Sequence, residues 1–176
     1  MFKVAKVSSE IKKSSTIFWY RTNGIDYVCN GYWIIKTDLK KKENRKILCS
    51  LVEKFGLIPS ESKKGKEVII TTSYKKVEIS ESTKKPKWLE LLENRETEEI
   101  ENTRLIHMSD RDNHRIFKGK EYIYINSRFI EMIDEKASGI KFEGSRDLEP
   151  IIITCKNDEM LILPVRMESK SEYLKN

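Results

Sequence analysis

The feature that most constrains the fold is a pattern that occurs twice in the chain. Residues 32–36 form a short run typical of a β-strand, and a helical stretch over residues 39–55 follows it. Residues 122–125 form a second strand-like run, followed by a helical stretch over residues 128–137. Short runs rich in Ile and Val come after each helix. A duplicated unit of strand, helix and strands predicts a fold built from two similar halves.

This repeat predicts an α+β protein with one main domain. The turn residues Asn23 and Gly24 separate two strand-like runs and predict a β-hairpin before the repeat begins. The expected boundaries are an N-terminal β-hairpin extension at 1–31, a main domain at 32–167 with halves at about 32–80 and 121–167 and an insertion at 81–120, and a flexible tail at 168–176.

The helix predicted over residues 39–55 has one apolar face and one cationic face. Thr37 or Asp38 is its expected N-cap, and Gly56 is its expected stop. Cations in a first helical turn oppose the helix dipole, at a cost of about a few tenths of a kcal/mol each. A bound polyanion would offset that cost, whereas an ordinary solvated face needs no ligand. The residues that would bind nucleic acid are Lys41, Lys42, Arg45 and Lys46.

Charge is distributed unevenly along the chain. The formal net charge is +6, but residues 1–87 carry +11 and residues 88–176 carry −5. Such asymmetry bears on binding partners rather than on the fold. It favours a nucleic-acid surface in the first half, although a Lys-rich surface that only keeps the protein in solution remains an equal alternative.

The sequence indicates a cytoplasmic protein. No apolar run approaches the roughly 18 residues that a membrane-spanning helix needs, and the N-terminus lacks the pattern of a secretory signal. The three cysteines form no C-x-x-C pair, which favours reduced thiols in the cytosol. High Lys, Ile and Asn usage is typical of an AT-rich genome, and a phage or mobile element is our expected source.

One cluster of side chains could support catalysis. Two imidazoles and two carboxylates within eight residues could bind a divalent metal, and the alternative is a polar turn flanked by histidines. The sequence contains no glycine-rich phosphate loop and no Ser-His-Asp order. We therefore expect no enzyme activity, no cofactor and no metal. The metal-dependent alternative would use His107, Asp110, Asp112 and His114.

Aromatic residues alternate with cations in the N-terminal strands. Such residues can stack on single-stranded bases, and they can equally form the core of a three-stranded sheet. The stacking interpretation favours a small basic nucleic-acid-binding module. The aromatic residues concerned are Trp19, Tyr20, Tyr27, Tyr32 and Trp33.

The end of the chain resembles the C-terminal end of the bacterial DNA polymerase sliding clamp, the β subunit. In that family a strand leads into a helix, three strands follow, and the last closes on hydrophobic-Pro-hydrophobic-Arg-hydrophobic. Residues 122–167 have this order, and residues 149–153 resemble the penultimate strand of the family. The ending here is Leu163, Pro164, Val165, Arg166 and Met167.

The resemblance implies one clamp-like domain of two halves. It also implies a non-enzymatic accessory role in DNA replication or metabolism, with DNA and replication proteins or clamp-binding peptides as partners. Residues 163–167 would form one wall of a peptide cleft, whereas the domain that forms the other wall in the family is missing. The alternative is that residues 163–167 are a core strand, and assembly of several copies is left open.

Overall fold

The computed structural model describes residues 1–59, 65–71, 76–80, 85–93, 96–109 and 112–167. The helices are α1 (Val4–Lys13), α2 (Arg45–Phe55), α3 (Glu90–Glu93) and α4 (Ser127–Ile130), with 3₁₀ turns at Lys42–Asn44 and Lys87–Leu89. The strands are β1 (Thr16–Thr22), β2 (Ile25–Cys29), β3 (Trp33–Thr37), β4 (Lys66–Thr71), β5 (Lys76–Ser80), β6 (Glu98–Glu99), β7 (Glu101–Met108), β8 (Asn113–Lys118), β9 (Tyr122–Asn126), β10 (Lys141–Gly144), β11 (Ile151–Cys155) and β12 (Asp158–Ile162).

Two antiparallel sheets organise the described residues. The larger sheet has nine strands in the order β5-β4-β1-β2-β3-β12-β11-β10-β6, and the smaller sheet has the order β7-β8-β9. The first and last parts of the chain meet inside the larger sheet, where Ile35 of β3 lies opposite Met160 of β12. The β3–β12 pair therefore joins residues near the start of the chain to residues near its end.

The larger sheet has a twofold pattern centred on the β3–β12 pair. On one side lies the meander β1-β2-β3, preceded by α1, and on the other lies the meander β10-β11-β12, preceded by α4. Each meander has its first strand on the outside and its last strand at the centre, so β1, β2 and β3 correspond in position to β10, β11 and β12. The pattern that occurs twice is therefore a helix followed by a three-stranded meander, α1 with β1–β3 and α4 with β10–β12.

The predicted halves at 32–80 and 121–167 are not confirmed. Strand β3 lies in the same sheet as β4 and β5, whereas β9 lies in the other sheet, so the two predicted units differ in topology. The error arose because α1 was not recognised. Its N-cap residue Lys3 makes no side-chain capping bond, and its first turn has no acidic residue. The helix is held by tertiary packing of Val7 and Ile11, which are fully buried.

The N-terminal hairpin does not extend from the domain. Strands β1 and β2 do pair around Asn23 and Gly24, which have φ angles of +49° and +76°. However, β1 also pairs with β4 and β2 pairs with β3, so the hairpin lies inside the larger sheet. Both strands bury apolar side chains there, which excludes an extension separated at residue 31. The boundaries of the insertion stay a prediction, and residues 168–176 lie outside the described residues.

Helix α2 begins later than predicted but ends where predicted. A 3₁₀ turn precedes Arg45, and Asp38 accepts a hydrogen bond from the backbone N–H of Lys40 at 2.9 Å instead of capping the helix. Gly56 ends the helix in the left-handed conformation, with φ +73°, and its N–H donates to the carbonyl of Val52 at 2.7 Å. Glycine adopts that conformation without steric cost.

Helix α4 is much shorter than the predicted helix over 128–137. Asn126 caps it by accepting a hydrogen bond from the backbone N–H of Arg128 at 3.1 Å. The first residues of the chain then form backbone hydrogen bonds with the segment that follows α4. The N–H of Lys3 donates to the carbonyl oxygen of Met132 at 2.8 Å, and the N–H of Asp134 donates to the carbonyl oxygen of Met1 at 2.9 Å. These bonds use backbone groups that a longer helix would need.

The two faces of the larger sheet carry different layers. Helices α1, α2 and α4 pack on one face in a single apolar cluster that includes Ile11, Leu51 and Phe129. Leu89 and Leu92, around the start of α3, pack on the other face. Helices α1, α2 and α4 therefore share one face of the larger sheet. Among the described residues, no helix is long and apolar enough to cross a membrane.

Candidate functional site

Helices α1 and α2 lie side by side and form one outer surface. The hydroxyl of Ser8 donates a hydrogen bond to the carbonyl of Lys46 at 3.2 Å. At the other end, the ammonium of Lys54 donates to the carbonyl of Ser14 at 2.8 Å. These contacts tie the two helices together along their length, so the outward side chains of both belong to the same surface.

The four predicted nucleic-acid-binding residues lie together at the start of α2. Lys42, Arg45 and Lys46 are exposed, and Lys41 is half-buried. The residue at the N-cap position, Asn44, makes no side-chain capping bond, and the first turn of α2 contains no acidic residue. Cations therefore stand beside the positive end of the helix dipole, which is an arrangement that favours a bound anion.

Helix α1 adds cations that the sequence analysis missed. Lys6 forms an ion pair with Glu131 at 2.6 Å, and Lys12 forms one with Glu53 at 2.8 Å. Lys13 is exposed, and within the described part of the chain it forms no ion pair. The signal that could have revealed this helix is the spacing of its apolar residues. The helical basic face, as we call it, consists of Lys41, Lys42, Arg45 and Lys46, whereas Lys13 lies at the other end of the helix pair, next to Ser14 and Lys54.

A groove lies at the end of β12, where residues 163–165 cross between the two sheets. The N–H of Leu163 donates to the carbonyl of Tyr32 at 2.9 Å, and the N–H of Val165 donates to the carbonyl of Tyr124 at 2.8 Å. Pro164 has no N–H to donate, which suits the point where strand pairing stops. Leu163, Pro164 and Val165 are half-buried and line a groove of about 340 Å³.

Only part of the predicted peptide-binding segment, residues 163–167, lines the groove. Leu163, Pro164 and Val165 line the groove, whereas Arg166 and Met167 do not belong to its lining. Arg166 is exposed and Met167 is half-buried. The alternative of a continuous core strand does not fit, because β12 ends at residue 162.

The second wall of the groove comes from this chain itself. Tyr32, on the turn between β2 and β3, and Phe129 of α4 line the side facing Val165. The rings of Tyr32 and Phe129 are stacked, with centroids 6.3 Å apart and planes inclined by 21°. The guanidinium carbon of Arg128 lies 4.6 Å from the centre of the Phe129 ring. Sequence reasoning missed this wall because residues 32 and 129 are brought together only by the fold.

Most of the N-terminal aromatic residues belong to the core. Trp19 and Trp33 have no exposed surface, and Tyr20 is 4% exposed. Tyr27 is half-buried. Tyr32, in contrast, is 60% exposed. The core interpretation is therefore correct for Trp19, Tyr20 and Trp33, while Tyr32 is left available for binding.

The histidine cluster forms part of a strand pair. His107 lies directly opposite His114, and the ring centroids are 6.3 Å apart. Burial lowers the pKa of His114, and its Nδ1 has no hydrogen-bond partner among the described residues. Asp112 is an exposed turn residue, and Asp110 lies outside the described residues. Within the described ranges, no group of three or more His, Cys, Asp or Glu is placed to hold a metal.

Comparison with known proteins gives matches among solved structures alone. No protein-family model matches the chain, and no curated protein matches it. A putative DNA polymerase III beta subunit from Eubacterium rectale is 13% identical, with a TM-score of 0.43 over 95% of this chain and 65% of that chain. The DNA polymerase sliding clamp from Bacillus subtilis is 13% identical, with a TM-score of 0.43 over 94% and 63% of the two chains.

A third similar structure is the DNA polymerase sliding clamp from Pseudomonas aeruginosa. It is 8% identical, with a TM-score of 0.43 over 95% of this chain and 66% of that chain. The chain therefore spans slightly less than two thirds of the length of these structures. Identities and TM-scores this low establish neither a family nor an activity.

Proposed function

We propose that this protein is a non-enzymatic, clamp-like accessory protein of DNA replication or metabolism. In this proposal it contacts the phosphate backbone of DNA through the helical basic face. It contacts a peptide of a replication protein through the groove beside Val165. The observation that carries the proposal is the layering of the larger sheet, which gathers α1, α2 and α4 on one face. Within the described residues, the cations at the start of α2 form no ion pair.

The charge of this face supports contact with a polyanion. Lys42, Arg45 and Lys46 are exposed, and within the described residues none of them forms an ion pair. The exposed Glu43 lies among these cations and reduces their local charge by one, whereas Glu53 and Glu131 are paired with Lys12 and Lys6. Phosphate contacts by such unpaired cations release counterions and require no base-specific geometry. A surface of this kind would bind duplex DNA without sequence preference.

The twofold sheet and the chain ending support the clamp-like part of the proposal. The two meanders are each preceded by a helix on the same face, and the ending at residues 163–167 resembles that of bacterial clamps. Tyr32 and Phe129 line the groove together with Leu163, Pro164 and Val165, which supports binding of a peptide by this chain alone.

Salt-dependent binding to a blunt DNA duplex tests the DNA contact. Four unpaired cations predict a slope of about −3.6 in log affinity against log salt, or a loss of about 150-fold between 50 and 200 mM salt. Changing Lys41, Lys42, Arg45 and Lys46 to Glu should abolish binding in fluorescence anisotropy. Failure of the wild type to bind at low salt would refute the contact.

A matched variant separates local contact from overall charge. Changing four other lysines to Glu lowers the net charge of +6 by the same eight charges but leaves α1 and α2 intact. This control should retain most of the duplex affinity. Equal loss in both variants would show that net charge alone drives binding and would refute a binding face on α2. The control residues are Lys87, Lys118, Lys120 and Lys141, all of which are exposed.

A further inference from the structure

Tyr32 is the one exposed aromatic side chain among the described residues, with 60% of its surface accessible. It stands on the turn between β2 and β3, where Asn30 and Gly31 reverse the chain. Gly31 has a φ angle of +90°, which favours glycine. Keeping a large ring in water at this position contributes little to folding, and its exposed surface is accessible to a ligand.

The ring is also held in place before any ligand arrives. The N–H of Tyr32 donates to the side-chain oxygen of Asn30 at 2.9 Å, and its carbonyl accepts from the N–H of Leu163 at 2.9 Å. The ring itself is stacked on Phe129. A side chain fixed at its backbone and at its ring loses little conformational freedom on binding. Tyr32 is therefore a preorganised platform.

The pocket next to Tyr32, on the side of α1, differs chemically from the groove. Its volume is about 240 Å³, and besides Tyr32 its lining consists of the cations Lys13 and Arg128, the carboxylate Glu10, and the polar residues Ser14, Ser15 and Asn30. The two cations outnumber the one carboxylate, and no aliphatic side chain lines the pocket. The groove shares Tyr32 and Arg128 with this pocket but adds the apolar residues that a peptide anchor needs, Phe129, Leu163, Pro164 and Val165. The volume is below the range of about 300–1,000 Å³ that drug-sized ligands occupy, so the pocket suits a single flat ring.

We propose that Tyr32 stacks on an unpaired nucleobase and that Lys13 and Arg128 contact the adjoining phosphates. Base–aromatic stacking with flanking cations is how proteins hold single strands without sequence preference. Lys13 ends α1, so this pocket lies at the opposite end of the helix pair from the helical basic face. The inference rests on the proposed function, and it names the nucleic acid as a duplex with a single-stranded overhang.

The experiment compares three DNA probes and two variants of one residue. The probes are a blunt duplex, the same duplex with a short single-stranded overhang, and a single-stranded oligo-dT. Tyr32→Ala should weaken binding to the overhang and to oligo-dT by about fivefold to a hundredfold, the range that one base–aromatic stack supplies. Tyr32→Phe should keep that affinity because the ring remains. Neither variant should change blunt-duplex affinity.

Two further readouts identify the contact. An overhang that carries 2-aminopurine should lose fluorescence on binding the wild type and Tyr32→Phe but not on binding Tyr32→Ala. Lys13→Ala and Arg128→Ala should each reduce the salt slope for oligo-dT by about 0.7.

The possible failures are distinguishable. If Tyr32→Ala weakens all three probes equally, or none, the nucleobase site is refuted while the duplex contact through α2 stands on its own test. If the wild type binds oligo-dT through Tyr32 but never binds the blunt duplex, the duplex contact fails alone. If 2-aminopurine is not quenched but a peptide titration responds to Tyr32→Ala, Tyr32 belongs to the groove only, and the nucleobase site is refuted.

Discussion

Asp26 is a buried carboxylate that connects the centre of the larger sheet to the segment leading into α2. It has no exposed surface. Its Oδ1 accepts a hydrogen bond from the indole N–H of Trp19 at 2.8 Å and lies 3.6 Å from Nε of Arg21. Its Oδ2 accepts a long bond from the N–H of Leu39 at 3.4 Å. Burial is the dominant effect on this carboxyl and raises its pKa, while these partners lower it.

Replacing Asp26 with Ala should therefore destabilise the fold strongly. The indole N–H of Trp19 would remain buried without its acceptor, which costs about 1–3 kcal/mol. The guanidinium of Arg21, 6% exposed, would lose its nearby carboxylate, and breaking a buried ion pair brings the total to about 3–5 kcal/mol. For a chain of this size, that corresponds to a drop in Tm of about 6–20 °C.

Asp26→Asn provides a graded comparison. The amide oxygen can still accept from Trp19, but the amide N–H₂ cannot accept from Leu39 and carries no charge for Arg21. We expect a loss of about 1–3 kcal/mol, smaller than for Ala. Asp147→Ala, at a half-exposed loop position, is the control and should change the free energy of unfolding by less than about 0.5 kcal/mol.

Urea unfolding followed by tryptophan fluorescence measures these changes, because Trp19 and Trp33 are both fully buried. A loss below 1 kcal/mol for Asp26→Ala, or a larger loss for Asn than for Ala, would contradict the assignment of Asp26 as the acceptor that holds this network.

Two further predictions concern the groove and the smaller sheet. Val165→Asp should eliminate binding of a clamp-binding peptide in isothermal titration calorimetry, because one buried apolar anchor contributes about 1.5–3 kcal/mol. Met167→Asp is the control and should preserve binding. Loss of binding in Met167→Asp but not in Val165→Asp would place the contact outside the groove. For His114, burial lowers the folded-state pKa from the ordinary 6.5, so the unfolded chain takes up a proton first. Stability should therefore be fully present above pH 6.5 and decline as the pH falls below it, and His114→Phe should flatten this part of the pH profile in thermal unfolding; an unchanged profile would refute the role of His114. Burial is the main cause of the lowered pKa of His114, which Asp112 opposes and His107 reinforces.

Several elements could be predicted from the sequence because their signals are local. The turn at Asn23 and Gly24 requires backbone angles that these two residues tolerate, and the structure has positive φ at both. Gly56 ends α2 for the same kind of reason. The polar turn flanked by histidines that the sequence offered as an alternative fits the structure, in which His107 and His114 lie opposite each other on β7 and β8. In each case, neighbouring residues specify the geometry without help from distant parts of the chain.

Helix α1 shows how a local signal can be present and still be insufficient. Val4, Val7 and Ile11 have the spacing of a helical face, but the segment has no capping bond and no acidic first turn. Its stability comes from burial against the sheet and α2. Without that packing, a helix of ten residues is marginal in water, so composition and caps did not identify it.

The amino-acid sequence by itself determined the strand runs, the turns, the end of α2 and the excess of cations in the first half. Only the tertiary structure decided that β3 pairs with β12, that the meanders β1–β3 and β10–β12 have matching positions in the sheet, and that Tyr32 and Phe129 line one groove with Val165. The reason is physical. Strand pairing and groove walls depend on which surfaces are buried together, and residues far apart in the chain leave no local pattern that encodes their contact.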